Sequence, residues 1–338
     1  LTPVDTYFFG GEKHAKNDNG KLEANYFVES QPYPQQTTIL GFLRYYLLTK
    51  NASVFNGKSI TNKPDAAKLI GKSSFDYYKP PDDYGKISSL SPLYFIHKND
   101  AYFFAPFDYE FEIDNELQLT KKNKEKNKIE TYNPKDHYYE VAALKLFNNK
   151  GSLITLDNIV STVTQVGNEK PDKGETKDNK FYKQFSKRLQ EGWSFCVDVE
   201  LADGSGISEG DNAFLPFGGE KSYFKIEVKK QEKTTITLPA NFKRNTPFIF
   251  CQCDCFVNSA ILNDADFAVN NHVSFRNLQS KVQDTEKYSS LSEKDPKQVN
   301  RSGRFNLLQR GSVLYFKTQA QLEKAASEFN TSHCRTIG

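Results

Sequence analysis

The chain has 338 residues, 37% of them hydrophobic and 26% charged, with a net charge of only +3. That length allows two domains or one large one, and the near-neutral balance excludes reading nucleic-acid binding, or its absence, from bulk charge, so only local clustering of cations can speak to it. No run approaches the roughly 18 apolar residues of a membrane span, no secretory leader opens the sequence, and five cysteines, an odd number, make no disulfide framework, so a reducing cytoplasmic setting is expected.

TPVDTYFFG (2–10) reads as a strand that Gly10-Gly11 ends. A charged loop follows. PYPQQTTILGFLRYYLLTKN (32–51) reads as a helix preceded by two prolines, with Thr37 or Thr38 available as a cap and Asn51 closing it. Residues 52–90 read as loop. LYFIHKNDAYFFAPFDYEFEI (93–113) is a predicted hairpin turning at Lys98-Asn99-Asp100. KKNKEKNK (121–128) is a solvated charge run, and 167–180 contains almost no apolar residue and reads as a mobile divider. WSFCVDVEL (193–201) alternates with period two, AFLPFGGEKSYFKIEVKK (213–230) is a hairpin turning at Gly218-Gly219, and PFIFCQCDCFV (247–257) is a strand. A polar stretch over 281–300 leads to a last strand, SVLYF, and a short amphipathic helix, AQLEKAASEF (320–329). Strands with few helices predict an α+β fold, divided as 1–166, the segment 167–180, and 181–338. Methionine is absent, against roughly seven at average usage, which points to residues dropped from the sequence and leaves helical spacings open by one.

The 27 Phe and 18 Tyr provide a core and, equally, stacking surfaces for bases or sugars. Cys251, Cys253 and Cys255 alternate and read as one buried strand face, not as the CxxC pairs of a metal site. The histidines are scattered; His14, in the loop after the first strand, is the one candidate general base. Arg44 lies among leucines on the first helix, either snorkelling at the core edge or contacting a phosphate. Gly41, costly inside a helix, would let another backbone come close. Between Lys297 and Gln319 the chain carries five cations and no acid. There Gly311 and Ser312 can aim their amides at an anion ringed by Arg301, Arg304, Arg310 and Lys317: a sugar-phosphate cradle. The alternative is a β-turn with solvated arginines.

Several segments taken together resemble the RAMP proteins of CRISPR effector complexes, and among them the family of the third subunit of type III-B (Cmr) complexes. They are TPVDTYFF (2–9), PYPQQTTILGFLR (32–44), SPLYF with AYFFAPFDY (91–109), FYKQFSKRLQEGWSFCVDVEL (181–201), AFLPFGGEKSYFKI (213–226) and RGSVLYF (310–316). The resemblance implies two ferredoxin-like (RRM-like) domains and a glycine-rich loop near the C-terminus. It implies binding of the 5′ handle of the guide RNA, with the large polymerase-like subunit and the first backbone subunit as neighbours. It implies no cleavage activity, cofactor, metal, membrane or small-molecule substrate. Arg44 falls in its proline-to-arginine motif, and Arg310, Gly311 and Ser312 in its glycine-rich loop. The family often has a basic residue after the paired phenylalanines, where this chain has Gly10. Tyr7, Phe8 and Phe316 could stack bases or could be core. Two competing functions are a RAMP endoribonuclease using His14 and an aromatic-rich carbohydrate-binding module.

Overall fold

A computed structural model describes residues 1–331 apart from 11–25, 74, 76, 78–82, 114–117, 124–127, 132, 134, 136–142, 169–180, 221, 231–237, 239–241, 243, 258, 277, 281–298 and 302–303. The fold is mixed α/β, with many short strands and few helices. His14, most of 167–180 and Lys297 lie outside the described residues, as do parts of the 121–128 run.

Helix α1 (Gln36–Thr49) exists because Ile39, Phe42, Leu43, Tyr46 and Leu47 recur at helical spacing and are buried together. Neither threonine caps it: both are already inside the helix, and the backbone carbonyl of Gln35 accepts the Thr38 and Ile39 amides instead. At the other end Asn51 Nδ2 donates to the Leu47 carbonyl at 2.7 Å. The stretch read as loop holds a second helix, α2 (Lys63–Ile70). Its signals are local: Asn62 accepts the Asp65 amide, Pro64 occupies the first turn, and Lys68 pairs with Asp65. With only Ala66 and Leu69 buried, the hydrophobic periodicity is too short to reveal it.

The hairpin read over 93–113 forms as strands Tyr94–His97 and Asp100–Phe104, while Glu112–Ile113 pairs instead with Leu119–Asn123 in another sheet. Lys98 and Asn99 both take left-handed backbone (φ 49° and 71°), the conformation that a tight two-residue turn demands. These strands sit in a five-stranded antiparallel sheet between Lys145–Asn148 and Trp193–Cys196, with Leu153–Thr155 at the far edge. A second sheet pairs Val160–Asn168 with Phe181–Leu189, then Tyr26–Gln31 and Phe9–Gly10, with one parallel contact between Phe181–Leu189 and Tyr26–Gln31. Asn168 faces Phe181 at the end of the pairing between Val160–Asn168 and Phe181–Leu189.

Strands from the two sides of 167–180 pair with one another: Thr2–Pro3 with Tyr223–Glu227, and Ile87–Leu90 with Val199–Leu201. The main core cluster accordingly draws on residues from Tyr7 to Leu307. The predicted first strand is broken into Thr2–Pro3 and Phe9–Gly10, while Tyr7 bridges Lys187. The predicted strand 247–257 is regular only over Phe248–Phe250. It flanks the last strand, Val313–Tyr315, whose other neighbour is Phe267–Val269. Two helices lie in the C-terminal part, α3 (Ser259–Asp264) and α4 (Gln319–Thr331). Among the described residues no helix is long and apolar enough to cross a membrane.

Candidate nucleic-acid interface

The glycine turn near the C-terminus faces inward, against expectation. Arg310 is 0% exposed and is one of the largest fully buried side chains. Its guanidinium lies 3.9 Å from the Tyr33 ring centroid and 4.7 Å from that of Phe104, and its charge is met by Asp254. The Asp254 carboxylate accepts from the Arg310 backbone amide at 2.8 Å, from Nε at 3.3 Å and from Nη2 at 3.4 Å. Burial alone would pull the guanidinium pKa down, but Asp254, with Tyr33 beside it, holds it above its ordinary value.

The two amides expected to cradle an anion are also committed. Gly311 N–H donates to the Cys251 carbonyl at 2.8 Å and Ser312 N–H to that of Gln309 at 3.0 Å. Ser312 Oγ donates to the same Gln309 carbonyl. The glycine is required because its φ is +94° and because a Cβ would stand 3.0 Å from the Phe107 ring and 3.1 Å from the Ala105 carbonyl oxygen. The close approach that it permits is therefore to the protein's own backbone, which it meets by accepting the Phe107 amide at 2.7 Å. As a solvent-open cradle, Arg310, Gly311 and Ser312 are corrected to an interior clamp. A charged group can be interior here because an acid distant in sequence neutralises it.

The other predicted cations go to different parts of the chain. Lys317 is exposed and lies 3.5 Å from Asp266, whose other oxygen accepts the Lys317 amide. Arg304 is exposed, and Arg301 ends the strand Val299–Arg301, its side chain outside the described residues. A five-cation stretch without acids thus acquires Asp254 and Asp266 in space.

Arg44 behaves differently. It is half-buried on α1, donates from Nη1 to the Ser73 carbonyl at 3.1 Å, and lies 5.7 Å from the Tyr84 ring. Its Nε and Nη2 are buried and have no hydrogen-bond partner among the described residues. Burial pulls its pKa below the ordinary value, opposed by Tyr84 and Asp83. Two unused donors make the guanidinium a poor structural pair, but both atoms are sealed from solvent, so an anion reaches them only where the chain covering them moves aside. Gly41, one turn earlier, is exposed, and a Cβ there would meet nothing within 4 Å. Gly41→Ala is therefore expected to raise the stability of the isolated chain by about 0.5–1 kcal/mol, read from a urea midpoint. A loss of RNA or subunit binding by that variant, with its stability raised, would mean that another molecule closes on this helix face.

Tyr7, Phe8 and Phe316 are all core, at 1%, 5% and 0% exposure, so none stacks on a base in this form. Among the described residues, the large aromatic rings that are exposed are Phe214 and Tyr223, which share the outward face of the hairpin Asn212–Pro216/Tyr223–Glu227. Among the described residues no group of three or more metal-ligating side chains forms.

Two acids that the sequence reading passed over hold the interior together. Asp254 sits in FCQCDCF and Asp108 in FFAPFDYEF. Asp108 accepts from Tyr315 Oη and from Arg244, whose Nε in turn donates to Tyr315 Oη at 3.0 Å. The available signal was an acid inside an apolar run, which must find a partner when buried.

The family model described as "CRISPR-associated protein (Cas_Cmr3)" matches residues 1–148 and 115–338. Comparison with curated proteins finds no match. Among solved structures, two cryo-EM structures of the type III-B Cmr-beta complex bound to cognate target RNA contain similar chains. One of them, which also holds AMPPnP, has 14% identity, TM-score 0.48, and coverage of 97% of this chain and 91% of that one. The other has 12% identity, TM-score 0.49, and coverage of 97% and 88%. A crystal structure of the Csm3–Csm4 subcomplex of the type III-A interference complex gives 13% identity and TM-score 0.34, covering 83% and 86%. The two segments matched by the family model together span the whole sequence, and the chain belongs to the Cas_Cmr3 family of CRISPR-associated proteins.

Proposed function

We propose that the chain is a non-catalytic subunit of a cytoplasmic type III-B RNA-guided effector complex, binding the 5′ handle of the guide RNA. Its neighbours in that complex are the large polymerase-like subunit and the first backbone subunit. The observation that carries this reading is the family match along the full sequence. In this reading residues 1–166 and 181–338 are two ferredoxin-like halves that exchange strands at their shared sheets.

Arg44 is the leading phosphate contact, supported by two buried, unsatisfied guanidinium nitrogens that gain partners when an anion displaces the chain covering them and by the open helix surface at Gly41. Arg304 and Lys317, both exposed, are surface contributions to the same electrostatic attraction, with Arg301 as a further cation of the same stretch. Arg310, Gly311 and Ser312 act on RNA only through the shape of the turn that they hold. The outward sheet face bearing Phe214, at 63% exposure, and Tyr223, at 51%, is apolar surface offered to a neighbouring subunit.

The test is retention of a 5′-handle RNA by the full chain across a salt series. Arg44→Glu is expected to weaken binding by about tenfold or more and to reduce the salt slope by about one. Lys317→Glu is expected to have a smaller effect of the same kind. Affinity and slope unchanged in both variants would reject the reading. Metal-independent cleavage of the RNA, abolished by His14→Ala, would replace it with a processing endoribonuclease.

A further inference from the structure

The CQCDC segment lies at the back of the interior clamp, and the proposed RNA contacts do not include it. Its three cysteines are thiols, buried at 3%, 4% and 6% exposure in a small core with Leu308, Leu314 and Phe316. They do not form the extended strand face expected of them. The regular strand stops at Phe250 and the backbone bends at Gln252 and Cys253. This bend brings Cys253 Sγ and Cys255 Sγ to 3.3 Å, with Cys255 also donating to the Cys253 carbonyl at 3.1 Å.

The residue between the two thiols is Asp254, which holds Arg310. The flanking backbone holds the same turn. Cys251 exchanges hydrogen bonds with Gly311 and Ser312 (2.8 and 2.9 Å), and Cys255 exchanges two with Leu308 (both 2.8 Å). The two sulfurs need to approach by only a little over 1 Å to reach bonding distance. The ring that then closes contains Asp254.

We propose that Cys253 and Cys255 form a two-electron thiol–disulfide site for hydroperoxides, whose oxidation loosens the Asp254–Arg310 clamp. One thiol, as its thiolate, attacks the peroxide oxygen, breaking the O–O bond to give a sulfenic acid and hydroxide, which takes up the proton that the thiol released. The second sulfur then attacks the sulfenic sulfur and expels its oxygen as water. Two thiols and one hydrogen peroxide become one disulfide and two waters. At 4% and 6% exposure the thiols are reached only through local opening of the small core around them, and then by a small oxidant. A short ring enclosing a bend is strained, so the disulfide is reducible by ordinary thiols. The site stands independently of the RNA reading.

The experiment treats the full reduced chain with hydrogen peroxide, alkylates the remaining thiols and maps the linkage by mass spectrometry of the peptide holding all three cysteines. Before alkylation the expected product is two hydrogens lighter and dithiothreitol restores the starting mass; after alkylation Cys253 is joined to Cys255 and Cys251 carries the label. Oxidation is expected to lower the thermal midpoint by about 3 °C or more, equally in Cys251→Ser and not at all in Cys255→Ser. An unchanged mass, a linkage through Cys251, or a midpoint unaltered by the 253–255 bond would each overturn the proposal. If Cys255→Ser fails to fold, the linkage and midpoint of the unaltered sequence decide.

Discussion

Arg310→Met is expected to destabilise the chain by about 3–5 kcal/mol, read as a lower urea midpoint, because removing one partner of a buried ion pair strands the other. Asp254 has no exposed side-chain surface to hydrate its charge. The substitution also removes the guanidinium from between Tyr33 and Phe104, giving up contacts at 3.9 and 4.7 Å from the ring centroids. Combining Arg310→Met with Asp254→Asn removes the stranded charge and keeps an oxygen to accept the Arg310 amide. The double variant is therefore expected to lose only about 1–2 kcal/mol, less than the single one. Were Arg310 a solvated phosphate contact, the single variant would stay within about 0.5 kcal/mol of the parent and lose RNA affinity alone. A double variant no more stable than Arg310→Met would equally reject the pair. One consequence bears on function: RNA binding lost on Arg310→Glu is what unfolding of the turn also predicts, so the informative positions are exposed Lys317 and, with its urea midpoint measured alongside, half-buried Arg44.

Gly311→Ala is expected to cost about 3 kcal/mol. At φ +94° an alanine is strained wherever its side chain points. Its methyl group would also need room that the Phe107 ring and the Ala105 carbonyl occupy. The ring can turn aside; the carbonyl, fixed by a strand that ends at Phe104, cannot. The same substitution at Gly41 is expected to act in the opposite direction. Comparing the two by urea denaturation therefore separates a glycine needed by the fold from one that only leaves a surface open. Gly311→Ala within about 0.5 kcal/mol of the parent would mean that the turn is not held against Phe107.

Local chemistry made some elements readable in advance. The Lys98-Asn99 turn between aromatic runs, the Gly218-Gly219 hairpin, the leucine-rich helix around Arg44 and the final helix all appear where periodicity and turn residues put them. The family, too, was legible as an ordered set of motifs, and the family model matches the same chain end to end. The candidate site was less legible, because its decisive partners are far apart in sequence. Asp254 lies 56 residues from Arg310 and Asp266 lies 51 from Lys317. A count of charges along a window does not see them.

What the sequence determined by itself is the material: an aromatic-rich α+β chain, the turns and helices that short-range propensity specifies, and a glycine required beside an arginine. What the tertiary structure alone decided is which way that pair faces. Strand pairing across the middle of the chain brings Tyr33, Phe104 and Asp254 around Arg310. Once a carboxylate and two aromatic faces replace water around the guanidinium, burial becomes tolerable. The residues that would have met phosphate oxygens then meet the protein's own.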